Sequence, residues 1–79
     1  MAAKAFILIE TAVGKTKAVY SALQKLREIK SIDAVTGPYD IIATIEEEDP
    51  NTVVNFVTSK MHDVPGINRT VTCIPIRLK

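Results

Sequence analysis

The residues best suited to chemistry in this sequence form one cluster, Thr36-Gly37-Pro38-Tyr39-Asp40. Gly37 supplies the backbone freedom that a tight hairpin needs. Tyr39 and Asp40 are not required to turn the chain. Asp40 stands at the head of an apolar stretch, where a carboxylate costs desolvation energy unless it has a partner. It can accept a ligand's ammonium group while flanking backbone N–H groups hold a carboxylate. It can equally serve as a turn aspartate bonded to its own backbone. Residue chemistry alone leaves both readings open.

Other candidate groups are better explained by structure. Gly14-Lys15-Thr16 resembles the end of a phosphate loop, but the glycine that should open that motif falls at Ile9. A weak anion site at a helix start is all it offers. Lys15, Lys17, Lys25, Arg27 and Lys30 gather on the predicted first helix against Glu28 alone, which reads as a solvated face. Phe6, Tyr20, Tyr39 and Phe56 give no platform for stacking bases. Glu46, Glu47 and Glu48 precede a helix start and compensate its dipole. His62 falls in the last turn of that helix, where a cation is favoured, with no metal ligand at suitable spacing. Cys73 reads as a small apolar residue of a strand.

Composition bounds what must position these groups. The chain has 79 residues and a formal net charge of +1, with 47% apolar residues. This is one domain, and the apolar content argues against disorder. So small a net charge lacks the positive field of a dedicated nucleic-acid domain. A single cysteine makes no internal disulfide and fits a reducing compartment. The opening MAAKAFILIE has too short an apolar run for a signal peptide or a membrane helix. The expected location is cytoplasmic.

Six elements can be placed. Residues 3–10 read as a strand, and residues 15–30 as a helix whose stripe is Ala18, Val19, Ala22, Leu23, Leu26 and Ile29. Residues 31–36 and 39–46 read as two strands of a hairpin broken by Gly37-Pro38. Asp49-Pro50 opens a second helix running to about His62, with Val53, Phe56, Val57 and Met61 on one face. Residues 67–78 read as the last strand. The order β-α-β-β-α-β predicts a ferredoxin-like α+β fold, a four-stranded antiparallel sheet with two helices on one face. Its second and fourth strands lie at the edges, where Pro75 is tolerated.

Two helices cover one face, yet both faces read as apolar. Ala5, Ile7 and Ile9 alternate with Phe6 and Leu8, and Ile41, Ala43 and Ile45 with Ile42. A bare apolar sheet predicts sheet-to-sheet pairing with a second copy. A core this small also gains from oligomerisation.

Two stretches carry a resemblance to a known family. Val35-Thr36-Gly37-Pro38-Tyr39-Asp40 resembles the valine–threonine–glycine–x–tyrosine–aspartate hairpin of the Lrp/AsnC transcriptional regulators. Val64-Pro65-Gly66-Ile67 with Arg69-Thr70-Val71-Thr72 resembles the proline–glycine–valine stretch and arginine–threonine–x–threonine strand of their effector-binding (regulation of amino-acid metabolism) domain. The resemblance covers essentially the whole chain, residues 1–79 as a single domain.

That resemblance implies a dimeric α/β-barrel, often built into a ring of dimers such as an octamer or decamer. It implies amino-acid or related small-metabolite effectors bound at the contact between dimers. Gly37, Tyr39 and Asp40 are the first ligand-binding candidates by this match, with Thr36, Thr70 and Thr72 carried over from flanking positions. Neither a catalytic residue nor a cofactor or metal is implied. Full-length regulators carry a helix-turn-helix domain, whereas here the sheet begins almost at Met1. The expectation is therefore a stand-alone regulatory module that mixes with full-length relatives, with no direct operator binding. The alternatives are a small dimeric α/β-barrel enzyme, for which Tyr20 and Asn68 are the only further hints, and a purely structural assembly partner.

Overall fold

The computed structural model describes residues 3–78. Strand β1 (Ala3–Thr11) leads to helix α1 (Thr16–Gln24). Strands β2 (Ile29–Ala34) and β3 (Ile41–Glu47) form a hairpin. Helix α2 (Pro50–Phe56) runs on into a wide π turn (Val57–Met61), and strand β4 (Ile67–Cys73) follows. The sheet order is β2-β3-β1-β4, every pairing is antiparallel, and β2 and β4 are the edges. This is the ferredoxin-like arrangement read from the sequence.

The core occupies one face of the sheet. Ala5, Ile7, Ile9, Ile41, Ala43 and Ile45 are all fully buried. Val19 and Leu23 of α1, Val53 and Phe56 of α2, and Val57 and Met61 of the π turn close over them. The period-2 alternation of β1 and the helical stripes therefore meet on a single side. Phe6, Leu8, Ile42 and Val71 turn to the other face and are only half-buried.

Several boundaries differ from the sequence reading. Helix α1 stops at Gln24 rather than residue 30. The chain then leaves in tight turns, with Leu26 N donating to Leu23 O and Ile29 N to Leu26 O. Lys25, Arg27 and Lys30 consequently lie off the helix, and Ile29 opens β2. That strand ends at Ala34, because Val35 N donates to Asp40 O and closes the loop. Tyr39 and Asp40 thus belong to the loop and not to β3.

Helix α2 starts as expected: the Asp49 carboxylate accepts from Thr52 N at 2.8 Å, with Pro50 in the first turn. Its end widens where the Thr58 and Ser59 hydroxyls donate to the carbonyls of Val54 and Asn55. Such back-bonding bends a helix. Strand β4 ends at Cys73, not at residue 78. Pro75 has no N–H to extend a ladder, so it lies past the strand end rather than within it. Cys73 itself is exposed.

Candidate functional site

The hairpin loop between β2 and β3 is fastened from its Asp40 end. Asp40 N donates to Ile9 O at 2.9 Å. Its Oδ2 accepts from Thr11 N at 2.8 Å and from the Thr11 hydroxyl at 3.1 Å. The Thr11 hydroxyl also shares a hydrogen bond of 2.7 Å with that of Thr16, at the start of α1. Thr11 is 8% exposed, so its amide and hydroxyl need partners. Asp40 supplies them across 29 residues of chain, joining hairpin, β1 and α1. Neither sequence reading anticipated this role. The carboxylate does not hold its own loop, and Oδ1 has no hydrogen-bond partner among the described residues.

Tyr39 points the other way. Its hydroxyl accepts from Arg69 Nη2 at 3.1 Å, and the guanidinium lies 5.8 Å from the ring centroid. Arg69 stands opposite Glu10 in the β1–β4 pairing. Sequence reasoning placed Arg69 in a matching stretch without assigning it to the site. Antiparallel pairing of β4 with β1 was the signal available, since it sets Arg69 beside the strand that Asp40 grips.

Thr70 and Thr72 are not brought to the loop. Thr70 lies opposite Ile9 and Thr72 opposite Ile7, so both turn to the helix side of β4. Strand β1 lies between them and β3. Thr36 and Gly37 sit at the exposed loop tip, where Gly37 has φ +123° and open space around its missing Cβ. The six candidates therefore fall into two groups within one chain: the loop residues, and a threonine pair on the edge strand.

Two depressions flank these groups. One of about 390 Å³, between α1 and β2, is lined by Thr16, Lys17, Tyr20, Asp33 and Ala34. Thr16 connects it to the Asp40 network. The other, about 260 Å³, is lined by His62, Ile67, Asn68, Arg69 and Thr70. Tyr20 and Asn68 thus line different depressions.

The model of the Lrp/AsnC ligand-binding domain matches residues 4–78. The chain belongs to the Lrp/AsnC ligand-binding domain family. Among solved structures, FFRP-DM1 is 36% identical with a TM-score of 0.88, covering 94% of this chain and 99% of that one. TTHA0845 from Thermus thermophilus is 28% identical with a TM-score of 0.88, covering 98% and 96%. A transcriptional regulator from Neisseria meningitidis, NMB0573, solved with L-Met, shares the fold at 19% identity and a TM-score of 0.84. This chain covers 50% of that regulator's length. No curated protein matches the chain.

The family match spans the hairpin, both depressions and the bare sheet face. One local feature of this Lrp/AsnC domain was invisible in the sequence. Gly66 has φ +99°, and a Cβ there would stand 3.0 Å from Lys15 Cβ and Val19 Cγ2. Its carbonyl accepts from Ala12 N at 2.7 Å. Glycine is needed here for close approach as well as for backbone conformation. It lets the Pro65-Gly66 connection press on α1.

Proposed function

We propose that this Lrp/AsnC domain is an amino-acid-binding regulatory module without catalytic activity, working in the cytoplasm as a homodimer or a ring of dimers. The observation that carries the reading is the fastened loop. Asp40 fixes its base to Thr11, while Thr36 and Gly37 stay exposed at its tip. A rigid loop with free backbone donors is preorganised for a small zwitterion, and preorganisation reduces the ordering cost of binding. The regulator solved with L-Met supports the same ligand class.

Dimerisation is supported by the bare face, where Phe6, Leu8, Ile42 and Val71 form an apolar centre. Around it, Lys4 stands opposite Glu46 and Glu10 opposite Arg69, so the rim is balanced in charge. The split between loop residues and Thr70/Thr72 fits a cleft completed by another chain. Ligand binding between chains then favours one assembly over another, and mixing with full-length regulators would transmit it.

The test is a thermal-shift panel of the twenty amino acids against wild type, Asp40→Asn and Asp40→Ala. Ligand at a hundred times its dissociation constant adds about 2.7 kcal/mol per site. A few hits lost in Asp40→Ala and kept in Asp40→Asn, which keeps an oxygen for Thr11, support the reading. A flat panel for wild type refutes amino-acid sensing.

A further inference from the structure

Arg69 links the two groups of site candidates within one chain. Its Nη2 donates to the Tyr39 hydroxyl of the loop at 3.1 Å, and it lines the same depression as Thr70. Strand parity explains how. Arg69 stands opposite Glu10 and turns to the bare face, while Thr70, opposite buried Ile9, turns to the helix side. Strand β4 is an edge, so a depression can wrap its open side and draw residues from both faces. His62, just past the π turn, lines it as well.

This depression carries hydrogen-bond donors and one permanent positive charge. Arg69 offers a guanidinium fork, Asn68 an amide, His62 a ring N–H and Thr70 a hydroxyl. No carboxylate lines it among the described residues. Arg69 has no ion-pair partner among them either, although Glu10 stands opposite. Two other depressions are built differently. The one between α1 and β2 sets Lys17 beside Asp33, and one of about 340 Å³ sets Arg27 and Lys30 against Glu28, Glu46 and Glu47. Each of those supplies its own counter-charge, whereas the depression on the β4 edge leaves a cation for a ligand to neutralise.

Tyr39 prepares that cation. Its hydroxyl accepts one N–H of the guanidinium, and its ring centroid lies 5.8 Å from the guanidinium carbon, within cation–π range. An arginine held in this way loses less side-chain freedom on binding, and its remaining N–H groups match a carboxylate in bidentate fashion. The Tyr39 hydroxyl keeps its own hydrogen to donate. The volume, about 260 Å³, falls below the roughly 300–1,000 Å³ of pockets for drug-sized ligands and suits a short acidic group.

We propose that the effector of this domain is a dicarboxylic amino acid, its side-chain carboxylate held by Arg69 in the β4-edge depression and its backbone groups by the Tyr39 loop. The inference rests on the amino-acid reading above and adds the ligand's charge to it. One guanidinium among neutral donors balances a single carboxylate, whereas a phosphate group carries close to two charges. Asn68, His62 and Thr70 supply further donors to the carboxylate oxygens.

The test is calorimetric titration of the full chain with glutamate and aspartate against glutamine and asparagine. Each amide matches its acid in size and lacks only the charge. A hydrogen bond to a charged group is strong enough that the preferred acid should bind about tenfold or more tightly than its amide. Arg69→Gln should erase this preference and leave binding of the amide unchanged. Its unliganded melting temperature should stay that of wild type, because Arg69 is exposed. Lys17→Gln, which removes a charge from the other depression, should leave the preference intact. A neutral amino acid that binds as tightly as either acid would overturn the proposal. So would a preference that survives Arg69→Gln, or one lost equally in Lys17→Gln. Each of these outcomes leaves amino-acid binding itself standing. Binding of no amino acid at all would refute the amino-acid reading, and the proposal with it.

Discussion

The two faces of β1 differ in a way its sequence does not. Ala5, Ile7 and Ile9 are fully buried under the helices, whereas Phe6 and Leu8 one residue along stay half-exposed. Both sets are apolar, so hydrophobicity alone does not assign the inner face. Helix coverage assigns it, and two short helices cover one side of four strands. The residual apolar face is what a second chain can stabilise, since burying apolar surface is favourable whoever supplies the cover.

Substitutions on the two faces should separate these roles. Ile7→Ala has the largest expected effect, a loss of about 2–5 kcal/mol of stability. A core this small supplies only roughly 3–5 kcal/mol, so denaturant melts should show a largely unfolded chain. Leu8→Lys should leave the isolated chain folded but abolish association at micromolar concentration, read by sedimentation. If Leu8→Lys associates as wild type does, the bare face is not the contact and the comparison fails.

Two substitutions sharpen it at the loops. Gly66→Ala should cost about 1–3 kcal/mol, because the Cβ meets Lys15 and Val19 at 3.0 Å with φ in the left-handed region. Asp40→Ala should cost a similar amount, about 1–3 kcal/mol, by stranding the buried Thr11 amide, while the Thr11 hydroxyl keeps only Thr16. Asp40→Asn should recover most of that stability, since its amide oxygen still accepts. Equal losses for Ala and Asn would show that charge, not the hydrogen bonds, fastens the loop.

The smallest effect is electrostatic. The Lys60 ammonium bonded to Glu28 holds that carboxyl below its usual range, and Thr52 does the same for Asp49. A depressed carboxyl value adds stability above the unfolded value, and this is lost as pH falls through the folded one. Stability should therefore decline below about pH 4. Lys60 is 53% exposed, so Glu28→Gln should cost less than about 1 kcal/mol and less still in high salt.

Much of this was legible in the chain itself. Alternation in β1 and β3, the stripes Val19/Leu23 and Val53/Phe56/Val57/Met61, and Asp49-Pro50 are local patterns set by backbone geometry. They gave element order and the edge strands, while helix coverage assigned the inner face. Element ends were less legible. The stop of α1 at Gln24 depends on tight turns that deliver Ile29 to β2, and β4 ends where Pro75 removes a donor. The candidate site was legible as a motif and not as an arrangement. Thr36, Gly37, Tyr39 and Asp40 share one loop, but Thr70 and Thr72 lie on β4, beyond the intervening β1.

By itself the sequence determined the βαββαβ order, the apolar character of both sheet faces and the family, because periodicity and motif spacing are properties of neighbouring residues. Only the tertiary structure decided that Asp40 fastens Thr11, that Arg69 meets Tyr39, and that Gly66 must lack a side chain against α1. Each joins residues tens of positions apart, and such pairings are set by strand register and close packing, which no local pattern encodes.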